Sequence, residues 1–251
     1  MIFPYYTIVC GLLFVHAKAV TMKGTHSLRS HEMPVVLQRP NIVILFADNM
    51  GYGDTSYNGH PTTQTPRLDE IASKGIRFTT WYSGSALCTP SRAAIFTGRY
   101  PSKIGMAGHN MFGSVLSTDS IGGLPKSVTT VGEALQALDY ETHLIGKWHL
   151  GVGKNHTHMP HNHGFDTYYG VPYSSDEGMS AVGLTGSLAG SDPALPLMEY
   201  NKETETYDIL EQPTNLNKMG ERYLNQSKAI IDGAKKPYFL FVSFLHMHVP
   251  N

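Results

Sequence analysis

Tyr238-Phe239-Leu240-Phe241-Val242-Ser243-Phe244-Leu245 reads as the strongest strand of the chain, and it breaks off at His246-Met247-His248. Met219, Tyr223, Ser227, Ile230 and Ile231 precede it at helical spacing, so a helix feeds that strand. Near the other end of the chain, Ile42-Val43-Ile44-Leu45-Phe46 is a continuous apolar run rich in β-branched residues, as expected for a strand covered on both faces, and it stops at Asp48. Between these two lie alternating signals. Thr65-Pro66 offers a cap with proline in the first turn, Leu68, Ile71 and Ala72 give an apolar face, and Gly75 closes that helix. Ile76 to Tyr82 reads as a strand, after which Thr89-Pro90 repeats the cap-and-proline pattern and opens a helix that stops at Gly98. Cys88 therefore sits at a helix N-terminus. Thr130 and Glu133 form a capping box, and Thr142-His143-Leu144-Ile145 follows as a strand ending at Lys147. Gly183 to Pro196 reads as a surface excursion.

Strands alternating with helices predict an α/β fold with a mostly parallel sheet flanked by helices. In such sheets ligands gather beyond the carboxyl ends of the strands. Three expected strands end at Asp48, at Lys147 and His149, and at His246 and His248, so these polar groups should converge on one rim.

Composition narrows the class. The 251 residues are 41% hydrophobic and 16% charged, with 25 glycines and 15 prolines, which suits a loop-rich globular enzyme rather than a disordered chain. A formal charge of −1 offers no basic field, so nucleic acid is not an expected partner and any anion must be held by a few placed cations. Residues 1–19 form an apolar stretch ending in Ala17-Lys18-Ala19, the pattern of a cleaved secretory signal, and the run before Lys18 is short for a membrane span of ~20 residues. Residues 20–40 read as an arm and 41–251 as the folded domain. Removing the leader removes Cys10 and leaves Cys88 alone in an oxidising compartment, as an intermolecular bridge, a reactive thiol or a converted one. The sequons at Asn155 and Asn225 fit glycosylation on the same route.

Cys88-Thr89-Pro90-Ser91-Arg92, continuing to Thr97-Gly98-Arg99, fits an anion site on physical grounds alone, because a helix N-terminus presents unsatisfied N–H groups and Arg92 adds a cation. It also resembles, at every fixed position, the sulfatase signature C-x-P-S-R-x-x-x-x-T-G-R. Asp48-Asn49-Met50-Gly51-Tyr52-Gly53-Asp54 resembles the metal-binding D-D-x-G-Y-G-D of that family, with Asn49 at the second acidic position. Carboxylate and amide oxygens suit a hard divalent cation, and the lost charge should weaken its binding. Tyr140-Glu141-Thr142-His143-Leu144-Ile145-Gly146-Lys147-Trp148-His149 resembles the family's G-Y-x-T-x-x-x-G-K-W-H, with Asp139 in place of its first glycine. His246-Met247-His248-Val249-Pro250 and Val171-Pro172-Tyr173-Ser174, with the following Ser175-Asp176-Glu177-Gly178, resemble two further segments of arylsulfatase A-like members.

The resemblance implies an alkaline phosphatase-like sulfatase fold and the hydrolysis of a sulfuric ester. It implies conversion of Cys88 to formylglycine by the formylglycine-generating enzyme of the endoplasmic reticulum, and Ca2+, or Mg2+, held by Asp48, Asn49 and residue 88. Arg92 and Lys147 would offset charge, Lys147 and Ser174 would bind the sulfate, His149 would contact the formylglycine hydroxyl, and His248 would contact the sulfate and protonate the leaving oxygen. Substrates implied are an aryl sulfate, a sulfated lipid or a sulfated glycan, in a lysosomal or extracellular setting. Full-length members continue with a second pair of metal ligands, a second lysine and a smaller domain, so the fold of these 251 residues is expected to be incomplete at its C-terminus and to show at most a trace of activity. Two alternatives stay open: a non-catalytic secreted fragment, and a phosphatase or phosphodiesterase of the same superfamily, which would use serine or threonine where Cys88 stands. His156, His158, His161 and His163 lack a cysteine or carboxylate to complete a zinc set and read as a loop.

Overall fold

A computed structural model describes residues 5–9, 13–17, 39–108, 115–177 and 194–248, the first two segments as backbone. Its centre is a six-stranded sheet in the order β3-β9-β5-β6-β7-β8. The strands are β3 Ile42–Phe46, β5 Glu141–Gly146, β6 Thr167–Gly170, β7 Leu197–Asn201, β8 Thr206–Glu211 and β9 Tyr238–Ser243. The first four in spatial order run parallel, and β7 and β8 close the far edge antiparallel. The mostly parallel α/β expectation is met.

Burial explains why β9 is so apolar. All six of its residues are buried, because Phe239 and Phe241 enter one core while Tyr238, Leu240 and Val242 enter a second on the opposite face. Helix α2, Cys88–Thr97, covers the first face through Ala93 and Phe96, with Trp148 and Phe165 stacked around Phe96. Helix α4, Met219–Gly233, covers the second through Met219 and Tyr223. The cap signals hold in two of three helices. Pro66 opens α1, Pro66–Lys74, and Thr130 caps α3, Val131–Gln136, by a full capping box with Glu133. In α2 the first residue is Cys88 itself and Leu87 is the cap, so Thr89 lies inside the first turn with its hydroxyl free for other work.

Two expectations fail or move. The strand read over Ile76 to Tyr82 is only β4, Gly75–Arg77, and it lies outside the main sheet. Trp81 and Tyr82 are exposed instead; β-branched and aromatic residues favour a pleated, half-buried surface, and among the described residues no strand pairs with the chain beyond Arg77. The excursion expected over Gly183 to Pro196 lies outside the described residues up to position 193, but Leu195 is buried under α4. Residues 1–19 carry β1, Tyr5–Val9, and β2, Leu13–Ala17, paired antiparallel with β1 alongside β4. The arm at 20–40 lies outside the described residues up to position 38. No helix among the described residues is long and apolar enough to cross a membrane.

Register places the site. Phe46, Ser243 and Gly146 stand side by side at the carboxyl ends of β3, β9 and β5. Asp48 and Lys147, just beyond them, are thereby brought to one rim. The chain leaves β5 through Gly146 at φ +102, where a Cβ would fall 1.8 Å from the Ser243 carbonyl oxygen, so only glycine fits.

Candidate active site

Asp48 is the hub. Its Oδ2 accepts from Lys147 Nζ at 2.7 Å and from Arg92 Nη2 at 3.2 Å, and all three side chains are buried. Burial by itself would raise the Asp48 carboxyl, but Arg92 and Lys147 outweigh it and hold the group well below the usual carboxylate range. Arg92 is fixed in turn, donating to the Lys147 carbonyl at 2.9 Å and to Ser243 Oγ at 2.6 Å. Lys147 also donates to Ser174 Oγ at 2.8 Å.

Cys88 opens α2 against this cluster, with Sγ 3.9 Å from Asp48 Oδ1 and 3.7 Å from His248 Nε2. Ser174 Oγ lies 3.3 Å from the same histidine nitrogen. Burial would raise the thiol, yet hydrogen bonding to His149 and His248 and the charge of Lys147 prevail over that and over Asp48, bringing it down to about 5. A nucleophile with a stabilised anion therefore sits at a helix N-terminus beside two cations.

His149 adopts a left-handed backbone at φ +56, an uncommon conformation for a non-glycine residue. Several groups hold it there. Its N–H donates to the Pro172 carbonyl at 3.0 Å, and its own carbonyl accepts from Thr89 Oγ1 at 3.0 Å. The Thr89 hydroxyl also accepts from the Leu116 N–H at 3.1 Å. The ring Nε2 lies 2.8 Å from the Leu116 carbonyl oxygen and 3.0 Å from Glu177 Oε2.

Seven of the expected site residues thus converge: Asp48, Cys88, Arg92, Lys147, His149, Ser174 and His248. Asn49 is exposed on a left-handed backbone at φ +65, lining with Asp48, Cys88 and Arg92 a cavity of about 650 Å³ whose outer wall includes Trp81 and Tyr82. The sequon residues Asn155 and Asn225 are both exposed, Asn225 on α4.

A family model for the sulfatases matches residues 40–251. The chain belongs to the sulfatase family. Among curated sulfatases it is 39% identical to human arylsulfatase A over 227 residues, covering 86% of this chain and 43% of that protein. It is 38% identical to rat arylsulfatase G over 229 residues, covering 84% and 42%. The chain therefore spans under half the length of these relatives. The solved PsFucS1 sulfatase from Pseudoalteromonas sp. superposes with a TM-score of 0.68 at 26% identity, covering 85% of this chain and 45% of that one, which places the sheet and its flanking helices in the sulfatase fold.

Asp48, Cys88 and His248 bring one ligand atom each within 4.8 Å of one another, the one such group of three His, Cys, Asp or Glu among the described residues. The four histidines at 156 to 163 form no such set. His161 bonds to Tyr207 and stacks on Tyr200, His158 bonds to the Leu124 carbonyl, and His163 is packed against Trp148.

Sequence reasoning missed Ser243 as a holder of Arg92, Thr89 and Leu116 as holders of His149, and Glu177. A signal existed for the last: Ser174 and Glu177 have the S-x-x-E spacing of a capping box, and the structure forms its glutamate half, Ser174 N–H donating to Glu177 Oε2 at 3.1 Å, while Glu177 N–H donates to the Ser174 carbonyl rather than its hydroxyl, at 3.1 Å.

Proposed function

We propose that this chain carries the nucleophile end of a sulfuric ester hydrolase, with residue 88 acting as formylglycine. The observation that carries the reading is the seat of Cys88: first residue of a helix, within 4 Å of Asp48 and His248, facing a cavity lined by Asp48 and Arg92, with Lys147 buried against Asp48. A tetrahedral dianion is welcome there because helix N–H groups and two cations converge on it. As a hydrated formyl group, residue 88 supplies the hydroxyl that attacks sulfur.

The remaining roles follow from position. Lys147 and Ser174 bind sulfate oxygens, and Arg92 with Lys147 offsets the charge that builds on them. His248, whose Nε2 points at both Cys88 and Ser174, donates the proton that the departing alcohol or phenol needs, and His149 accepts one from residue 88.

The donor set supports a hard cation under one condition. Oδ2 of Asp48 is taken by Lys147 and Arg92, leaving Oδ1 to meet a metal together with the Asn49 amide oxygen and the atom at the tip of residue 88. Sulfur there suits a softer ion, whereas an aldehyde-derived oxygen suits Ca2+ or Mg2+. Asp48, Asn49 and residue 88 would hold that ion, which would polarise the sulfate and acidify the nucleophile.

The leader, the exposed sequons and the unpaired thiol support passage through the secretory pathway to a lysosomal or extracellular destination, with the formylglycine-generating enzyme as a transient partner. Aryl sulfates, sulfated lipids and sulfated glycans are the substrate classes. The test is the mass of the tryptic peptide containing residue 88 after expression in a secretory host. A mass decrease corresponding to replacement of CH2SH by CHO is expected, and an unmodified thiol would overturn the assignment.

A further inference from the structure

His149 has two ring nitrogens, and the structure commits one of them. Nε2 lies between two oxygens, the Leu116 carbonyl at 2.8 Å and Glu177 Oε2 at 3.0 Å. Both are acceptors, since a peptide carbonyl never donates and a carboxylate in its ionised form cannot, so the proton of the neutral ring resides on Nε2. Nδ1 is then a bare lone pair. It is buried, it has no hydrogen-bond partner among the described residues, and the ring lies beside Cys88.

The same Glu177 oxygen also accepts from the Ser174 N–H at 3.1 Å. One carboxylate atom therefore ties together the ring that faces residue 88 and the turn that aims Ser174 at Lys147 and His248. Glu177 is only 19% exposed, on a closed turn, so it presents a fixed charge rather than a swinging one.

We propose that Glu177 is a positioning residue which, with the Leu116 carbonyl, fixes His149 as the Nε2–H tautomer so that Nδ1 is the atom that takes a proton from residue 88. The inference rests on the function proposed above for His149, and it adds the atom and its holder. In the step itself the O–H bond on residue 88 breaks, its proton lands on Nδ1, and the resulting imidazolium keeps its Nε2–H against the Glu177 carboxylate. No other bond changes at the ring. Carboxylate-to-histidine pairs of this kind set tautomer and orientation wherever a histidine must present one particular nitrogen.

The full chain labelled with 15N-histidine tests this by NMR, with the His149 signals identified by their absence in His149→Gln. The expected spectrum has a proton on Nε2 and none on Nδ1. Exchange of that proton with water should quicken by about tenfold in Glu177→Gln, which still offers Ser174 an acceptor, and further in Glu177→Ala. A packing role alone would move amide signals around Ser174 and leave the imidazole proton untouched. A ring protonated on Nδ1, or an Nε2 proton indifferent to both substitutions, overturns the proposal. The mass of residue 88 measured on the same sample separates the two readings, because an unmodified thiol sinks the formylglycine assignment while leaving the tautomer result to stand or fall by itself.

Discussion

Two ion pairs of identical length sit at opposite ends of the sheet. Lys147 meets Asp48 at 2.7 Å beyond the carboxyl ends of the strands, where both side chains are buried, and Lys236 meets Asp139 at 2.7 Å before β5, where both are more than half exposed. Distance does not distinguish them; solvent does. In water the attraction is screened and nearly cancelled by the entropy of holding two long side chains, whereas a buried pair makes each partner dependent on the other. The first pair is the centre of the site because Asp48 cannot be removed without stranding both Lys147 and Arg92.

The sharpest way to break this contrast is Asp48→Ala, which leaves Lys147 and Arg92 buried without their common counter-ion. A loss of about 3 to 5 kcal/mol is expected in urea unfolding, the range for breaking a buried pair by removing one member. A loss comparable to that of Lys236→Ala would show that water reaches the rim freely. Acid should expose the same dependence. The folded Asp48 carboxyl titrates below its unfolded value, so its contribution is complete above pH ~4 and disappears as pH falls through the folded value. The gap between the unfolding midpoints of wild type and Asp48→Asn should therefore hold from pH 7 to about pH 4 and narrow from there down to pH 2.

His163 is the third case, burial without a partner. It is fully buried against Trp148, neither ring nitrogen has a hydrogen bond among the described residues, and burial pushes its pKa down to about 4. The ring stays neutral in the fold while the unfolded chain protonates near pH 6.5, so stability is unaffected above that value and falls as pH drops from about 6.5 to 4. The integrated effect is at most about 3 kcal/mol. His163→Leu should flatten this slope, making the variant gain on wild type between pH 7 and pH 5 by thermal unfolding. Parallel slopes for the two proteins would mean that the ring has a proton partner.

These contrasts also mark what the sequence could reveal. β9 and β3 are legible because coverage on both faces demands unbroken apolar runs, and the rim residues are legible because each follows directly after such a run. Cys88 to Arg99 declares itself by spacing. Ile76 to Tyr82 misleads because strand propensity reports side chains suited to a half-buried surface, and nothing in the local sequence says whether a partner strand will be there. β6 to β8 escape because their strands are short or carry polar residues, Glu199 and Asp208 among them, and the pairing of β6 with β7 is decided across 30 or so residues of chain. Leu116 and Ser243 escape for a related reason. Each acts by touching another site residue from a distant segment, and a contact across the fold leaves no mark in spacing.

The smallest effect belongs to the exposed pair. Asp139 stands at φ +62, a left-handed position in the turn before β5 where the sulfatase motif carries glycine, and both Lys236 and Arg39 reach its carboxylate. The Lys236 hydrogen bond and the two charges keep that carboxyl below its usual range although the side chain is more than half exposed. Two opposed consequences follow for Asp139→Gly. The backbone loses the strain that a side chain suffers at positive φ, and the unfolded chain gains freedom that folding must then remove. The ion pairs vanish as well, but salt already screens them. The midpoint of thermal unfolding should therefore shift little in low salt and, once salt has silenced the charges, should be equal to or above that of wild type. A marked loss persisting in high salt would contradict this, since it would mean that the side chain of Asp139 is held by something other than exposed charge.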